Sequence, residues 1–309
     1  MAPSPSTPPS SSPAAEGPAV PRVLSIAGSD SGGGAGIQAD LKTIAEWGGY
    51  GMTAITAITA QNTQGVQAVH PLPVDVVRAQ LDSVASDIVV DAVKVGMLGT
   101  AELMRVVADW LEEARPAVVV VDPVMAATSG HALTPVGDAE AHAAWGRLLR
   151  AAHLVTPNLP ELARLTGRPL DSWAAALDAA RELAAAHAVT VLAKGGHLAD
   201  LTRADPEGAE AGDDPDAEGG VPDALVRPDG SVHEVRGPRV ESGATHGTGC
   251  TLSAALATLA AGGLGWEDAI ERAKPWLAQA MVAGEALAVG DRTRPTWHGP
   301  VDHGHARRG

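Results

Sequence analysis

Short apolar runs alternate with segments of helical periodicity along most of this chain, and that alternation restricts the fold more than any other feature. Val23–Ala27, Met52–Ala60, Ala92–Val95, Ala117–Val121 and Val189–Ala193 lack the strict polar alternation of a half-exposed strand. Each predicts a strand covered on both faces. Between them Ile37, Leu41 and Ile44, and then Val77, Leu81 and Val84, recur at helical spacing. Helices are predicted over Ala101–Ala114, Ala139–Ala151, Trp173–Ala186, His246–Ala261 and Trp266–Leu287, with another opening near Asn158. A short strand is expected at His153–Val155, and a hairpin around Asp229-Gly230 joins Asp223–Val226 to Ser231–Val235. The pattern predicts an α/β fold, a mostly parallel central sheet with helices on both faces. Ligands of such sheets bind outside the carboxyl ends of the strands.

A chain of 309 residues without an interior linker suits one large domain, here residues 22–289. Residues 1–21, rich in Pro, Ser and Ala, predict a disordered tail. Residues 200–222 are acidic and read as an inserted surface loop, and 290–309 as an irregular C-terminal tail. The net charge of −15, 3% aromatic content and absence of Phe argue against nucleic acid as a partner. No apolar run reaches membrane-spanning length, so no membrane partner is expected. Cys250 is the only cysteine, which makes an intrachain disulfide impossible and a reducing cytoplasm the natural compartment. The N-terminus has neither the basic nor the apolar region of a secretory signal.

Two glycine-rich turns carry most of the candidate chemistry. The first, Gly28-Ser29-Asp30-Ser31-Gly32-Gly33-Gly34-Ala35-Gly36, runs from a strand into a helix. It lacks the Gly-Lys-Ser/Thr ending of a Walker loop and the spacing of a dinucleotide fingerprint. It reads either as a tight structural turn or as a loop that lets main chain approach a ligand. Asp40, one turn into the helix, either binds a ligand's amino group or ring nitrogen, or faces solvent. The second turn, Thr245-His246-Gly247-Thr248-Gly249-Cys250, opens a helix whose buried stripe is Leu252, Ala255, Leu256 and Leu259. Free amides at such a start form an anion hole, reinforced by the helix dipole. Cys250 there is either a thiol with partial thiolate character or a small packing residue.

Further polar residues cluster at strand ends. Asn158 and Glu161 are spaced for Mg²⁺ through water, or equally for a capping box. Asp122 and Lys194 each end a strand, where a lysine can reach phosphate as a point charge. Gln61-Asn62 ends another, with amides suited to a heterocycle edge. No histidine spacing matches a zinc site.

Taken together, AGSDSGGGAGIQADLKT (27–43), TAITAQNTQGV (56–66), VKVGMLG (93–99), VDPVMAATSG (121–130), TPNLPE (156–161), KGGH (194–197) and THGTGCTLSAA (245–255) resemble the hydroxymethylpyrimidine/phosphomethylpyrimidine kinases of thiamine biosynthesis, in the ribokinase superfamily. The resemblance covers about Arg22 to Ala288. It implies a ribokinase-like fold, ATP and Mg²⁺ as cofactors, and two successive phosphorylations of 4-amino-5-hydroxymethyl-2-methylpyrimidine, to the monophosphate and then the diphosphate. It implies that Gly28, Asp40 and Gln61 line the pyrimidine pocket with Met97 against the ring. It places Asn158, Glu161 and Asp122 around Mg²⁺ and phosphates, Asn158 and Lys194 on nucleotide phosphate, and Gly247, Thr248 and Gly249 in the anion hole. Cys250 stands where sugar kinases of the superfamily carry a catalytic Asp, and as a thiolate it would take the alcohol's proton. Ser31, Gly34, Ala126 and the long 200–222 insert depart from the family pattern. A homodimer is the implied assembly. The rival readings are a pyridoxal kinase and a pyrimidine-binding protein without catalysis.

Overall fold

The computed structural model describes residues 20–125, 139–197 and 220–308. Residues 1–19 of the predicted N-terminal tail, residues 126–130 of the VDPVMAATSG motif, and residues 200–219 of the acidic insert lie outside the described residues.

Nine strands form one sheet in the order β3-β2-β1-β4-β5-β6-β7-β8-β9. Strands β1 (Arg22–Asp30), β2 (Tyr50–Asn62), β4 (Ala92–Val95), β5 (Val118–Val121), β6 (Leu154–Val155) and β7 (Thr190–Lys194) pair in parallel. Strand β3 (Gly65–Pro71) pairs antiparallel with β2, and β8 (Val221–Val226) and β9 (Val232–Gly237) add an antiparallel hairpin at the other edge. The fold is the expected α/β fold with a mostly parallel sheet. Strand β3 is an addition: its residues Gly65–Pro71 carry no continuous apolar run, because most of them are exposed or half-buried.

The helices are α1 (Gly36–Glu46), α2 (Val74–Ala85), α3 (Ala101–Ala114), α4 (Ala139–Ala151), α5 (Leu159–Thr166), α6 (Trp173–His187), α7 (Thr248–Ala261), α8 (Trp266–Gly284) and the short α9 (His305–Arg308). Their ends follow local chemistry. Thr100 and Ser172 cap α3 and α6 by accepting from the Leu103 and Ala175 amides. Gly167 ends α5 in the left-handed conformation. One core lies between the sheet and α2, α3, α4 and α6, and the other between the sheet and α7 and α8. Helix α7 is not the amphipathic helix the sequence predicts. Residues Thr251–Leu259 and Ala261 are buried on every side, since α7 is sandwiched between the sheet, α1 and α8. Its small residues, Ala254, Ala255 and Ala257, permit that close packing.

Alternation along β4 sends Val93 and Val95 into the first core and Ala92 and Lys94 toward α1 and α7. Lys94 is fully buried. Its Nζ donates to both carboxylate oxygens of Asp40 on α1, at 2.9 and 3.0 Å, and the Ser25 hydroxyl donates to Asp40 Oδ2 at 2.6 Å. Burial alone would lower the Lys94 pKa, but the charge and hydrogen bonds of Asp40, with the nearby Cys250 and Asp122, together outweigh it and the net shift is upward. A lone charge left in this interior is expensive, more than the pair itself contributes. Lys94→Met should therefore cost about 3–5 kcal/mol, and Lys94→Met combined with Asp40→Leu should recover most of it. Urea unfolding of both variants measures this, and a single-variant loss below about 1 kcal/mol would show that the pair is not a buried charge pair.

Candidate active site

The order of strands reverses between β1 and β4, so the chain's crossovers part there and leave a crevice at the carboxyl edge. A cavity of about 690 Å³ occupies it. Strand β1 delivers Gly28 and Asp30 to its wall, and Met97, just past β4, lies against Gly28. A Cβ on Gly28 would come within 2.5 Å of Met97 Cε, so the bare glycine makes room for that side chain. Asp30 then shapes the turn. Its carboxylate accepts the amides of Gly32 (2.7 Å), Gly34 (3.0 Å) and Ala35 (2.8 Å), and His246 Nε2 lies 2.8 Å away. Burial alone would raise the Asp30 pKa, but His246 and the backbone amides reverse this and hold it below the ordinary carboxylate value.

The second glycine turn packs on the first through main chain. Gly247 has φ 84°, and a Cβ there would lie 1.9 Å from Gly34 O. Only glycine satisfies both conditions. Thr251 is the first residue of α7 to bond back into the helix, to Gly247 O at 2.8 Å. Among the described residues the amides of Gly249 and Cys250 have no protein acceptor, and both residues line the cavity together with Asp122 and Lys194, at the ends of β5 and β7. A Cβ on Gly249 would sit 3.4 Å from Lys194 Nζ and 3.5 Å from Asp122 Oδ2. These are ordinary contact distances, so the start of α7 stands directly beside the cation and its carboxylate.

Lys194 Nζ donates to Asp122 Oδ1 at 3.3 Å, and the Thr156 hydroxyl donates to the same oxygen at 3.2 Å. Asp122 Oδ2 is buried and has no partner among the described residues. Asn158 and Glu161 form the capping box of α5: the Asn158 amide donates to Glu161 Oε2 (2.8 Å) and the Glu161 amide to Asn158 Oδ1 (2.9 Å). Both residues also line the cavity, so the box fixes Glu161 beside Asp122 and Lys194. Burial pushes the Glu161 carboxyl up to about 7, with the Asp122 charge adding to it and Lys194 opposing.

This arrangement has known counterparts. The model of the phosphomethylpyrimidine kinase family matches residues 30–298. The chain belongs to that family. It is 42% identical over 286 residues to the hydroxymethylpyrimidine/phosphomethylpyrimidine kinase of Escherichia coli, covering 92% of this chain and 97% of that one. It is 46% identical over 286 residues to the thiamine biosynthesis multifunctional protein ThiED of Corynebacterium efficiens, across 92% of this chain but only 35% of that protein. The chain therefore spans about a third of the length of such multifunctional relatives. The Staphylococcus aureus pyridoxal kinase, solved with AMP-PCP and pyridoxal, superposes with a TM-score of 0.75 at 33% identity, over 94% of this chain and 96% of that chain. The fold is ribokinase-like and the protein is a kinase.

In this chain the cavity gathers Gly28, Gln61, Met97, Asp122, Asn158, Glu161, Lys194 and the Gly247–Cys250 turn along one wall-to-wall site. Asp40 is the exception. It neither lines the cavity nor faces solvent, because Lys94 and Ser25 consume its oxygens beneath the site. The buried Lys94 that captures it shows in the sequence only as a charge inside an apolar run. Cys250 also departs from the thiolate expectation. Burial pushes its thiol up to about 11, overcoming the opposing Lys94 charge and the Gly36 amide. A helix N-terminus does not compensate for that much lost solvent.

The C-terminal residues are largely irregular, as expected, but they are tied down as a strap behind the two glycine turns. The His298 amide donates to Thr63 O, Gly299 exchanges bonds with Gly243 O and the His246 amide, and His246 bridges Pro300. His303 Nε2 lies 2.9 Å from Thr251 Oγ1, both buried, directly behind Cys250. Burial holds the His303 imidazole neutral, with its pKa down to about 4. His246 and His303 were not singled out from sequence. The only signal was their place in motif-flanking Gly-rich segments.

Two outcomes follow from this geometry. Gly247→Ala should leave a folded protein but displace the α7 amides, lowering kcat by about 10²–10³, the effect of losing an oriented oxyanion donor; steady-state kinetics beside circular dichroism checks it. For Glu161 the folded pKa of about 7 exceeds its ordinary value of 4.5. Between those limits the folded state keeps a proton that the unfolded chain has lost, so this residue's contribution to stability falls as pH rises. Urea midpoints from pH 5 to 7.5 should fall less steeply in Glu161→Gln than in the parent protein.

Proposed function

We propose that this kinase moves the γ-phosphoryl group of ATP onto the hydroxymethyl oxygen of 4-amino-5-hydroxymethyl-2-methylpyrimidine, and then onto the resulting monophosphate. One observation carries the reading. The free α7 amides, Lys194 and the partnerless Asp122 Oδ2 converge at one end of a cavity whose other end is Gly28, Met97 and Gln61. The first set suits a migrating phosphate and the second a flat heterocycle. The reading agrees with the hydroxymethylpyrimidine/phosphomethylpyrimidine kinase activity of the Escherichia coli relative.

In this reading Gly28, Met97 and Gln61 hold the ring, and Gly247, Thr248 and Gly249 frame the anion hole. Lys194, with Asn158, meets nucleotide phosphate. Among the described residues no three His, Cys, Asp or Glu side chains are grouped to cage a metal. Mg²⁺ is rarely caged by protein alone; one or two carboxylates plus phosphates and water suffice. Asp122, with its orphaned buried oxygen, and Glu161 fit that need, and Asn158 holds Glu161 in place through the capping box. Bound Mg²⁺ would neutralise charge on the phosphate oxygens.

Phosphoryl transfer passes through a loose transition state, so alignment and charge stabilisation dominate. The amides of Gly249 and Cys250 provide both without any reorganisation. The alcohol still gives up a proton in the first transfer. With a thiol pKa of about 11, only about one Cys250 in 10⁴ is a thiolate at pH 7. The second acceptor is already an oxyanion and releases no proton from an alcohol. A neutral thiol leaves room for that anion, whereas a fixed carboxylate at 4 Å would repel it by roughly 4 kcal/mol at an effective dielectric of 20.

No described helix is long and apolar enough to cross a membrane, in keeping with a cytoplasmic enzyme; a homodimer would show in light scattering. The deciding experiment is an ATP-coupled assay with product mass to count phosphates, on the pyrimidine alcohol, its monophosphate and pyridoxal. Preference for pyridoxal would favour the vitamin kinase alternative, and absence of ADP would end the kinase reading. Cys250→Asp should spare the first transfer and depress the second at least tenfold. With Cys250 as base, the first transfer should speed up as pH rises from 7 to 10 while the second stays level. A flat first-step profile removes the thiolate from the mechanism.

A further inference from the structure

Three side chains from separate segments meet at the heterocycle end of the cavity. Asp30 closes β1, Gln61 lies near the end of β2, and His246 precedes the α7 turn. His246 Nε2 lies 2.8 Å from Asp30 Oδ2 and 3.3 Å from the Gln61 side-chain amide. Thr59 Oγ1 lies 3.0 Å from Ser29 O and 3.0 Å from the other end of the same amide.

Proton counting fixes the direction of each bond. Asp30 already accepts three backbone N–H groups, from Gly32, Gly34 and Ala35, which favour the ionised carboxylate. An ionised carboxylate only accepts, so the proton at the 2.8 Å contact sits on His246 Nε2. A protonated Nε2 cannot accept an amide N–H from Gln61. The oxygen and nitrogen of a side-chain amide are told apart by their partners, not their shape. The partners here put Gln61 Oε1 toward His246, on the longer 3.3 Å branch of the Nε2 hydrogen that Asp30 holds at 2.8 Å, and the NH₂ group toward Thr59. Thr59 spends its own hydrogen on the Ser29 carbonyl, which leaves its oxygen free to accept one Gln61 N–H. The second Gln61 N–H has no partner among the described residues, and Gln61 lines the cavity.

We propose that Asp30, acting through His246, locks the Gln61 amide so that the site presents an N–H donor to its substrate, and that this selects a heterocycle carrying an unprotonated ring nitrogen. Asp30 and His246 are positioning residues in this scheme. The inference rests on the proposed reading that Gln61 faces the ring. It also supplies a source of discrimination. A pyrimidine nitrogen is weakly basic and offers a lone pair at neutral pH. A protonated pyridine nitrogen would set N–H against N–H, and an unmet buried donor costs far more than a missing contact.

The test uses the full chain and three ligands: the pyrimidine alcohol and its two single-ring-nitrogen analogues, each with one nitrogen replaced by C–H. Calorimetry on the parent protein should show one analogue binding at least tenfold more weakly. Gln61→Glu keeps the shape and both acceptors but has no N–H. It should weaken the pyrimidine at least tenfold and erase its advantage over that analogue. His246→Leu should shrink the advantage at least threefold, through KM more than kcat. Nitrogen NMR of the ligand-free protein should find the His246 proton on Nε2. Tight pyrimidine binding by Gln61→Glu with its preference intact, or a proton on Nδ1 alone, overturns the proposal. Failure of the parent protein to bind any of the three ligands would instead overturn the substrate reading, while the NMR result would stand on its own.

Discussion

The contact between Gly34 and Gly247 is made by main chain alone, and the site exists because of it. With no Cβ on Gly247, the two glycine turns approach until a carbonyl oxygen occupies the space a side chain would fill. The first turn belongs to β1 and carries Gly28 and Asp30. The second belongs to α7 and carries the free amides and Cys250. Closing the gap by one methyl would push the anion-binding amides away from the ring-binding wall. Transfer rates are steeply sensitive to such displacements. Two further devices keep the turns in place. Beneath them the Lys94–Asp40 pair ties β4 to α1. Behind them the 298–303 strap ties the β2–β3 turn, the His246 segment and α7 together.

The sheet was largely legible from the sequence because parallel strands covered on both faces must be continuously apolar. Val118–Val121 and Val191–Ala193 are examples, and both are nearly or wholly buried. Strand β3 escaped because an exposed edge strand carries no such demand. That the glycine-rich helix start and the strand-end charges share one cavity was equally legible, since such features betray themselves locally. What was hidden depends on contacts distant in sequence. Asp40 looks like a surface or ligand-binding carboxylate until Lys94, 54 residues away, is found beside it. The strap looks like a loose tail because its bonds are to residues such as Thr63 and Thr251. Short-range pattern contains no information about either.

The capping box at Asn158 and Glu161 shows that a structural reading and a functional reading of one pair of residues need not compete. The box uses Asn158 Oδ1 and Glu161 Oε2 to finish α5. In doing so it removes rotamer freedom from Glu161 and holds the carboxyl next to Asp122 and Lys194. A group that has already lost its freedom on folding loses none on binding a cation. The same logic applies to Asp30, which organises a turn through three amides while steering His246.

The identity of residue 250 follows from the charges already present. Asp40 and Asp122 raise the Cys250 pKa, and Lys94 lowers it. Lys194 is paired with Asp122, and Lys94 with Asp40, so neither lysine is free to neutralise another carboxylate. Placing a fourth acidic group among Asp40, Asp122 and Glu161 would leave an excess of negative charge where phosphates must enter. Protein dipoles at the α7 start can offset about half a unit of it, not a whole one. A thiol that burial keeps protonated adds no charge at all. On the proposed reading it fills the position of a base in shape while remaining neutral toward an acceptor that is itself an anion, and that neutrality would let one set of amides serve an alcohol and a phosphate in turn.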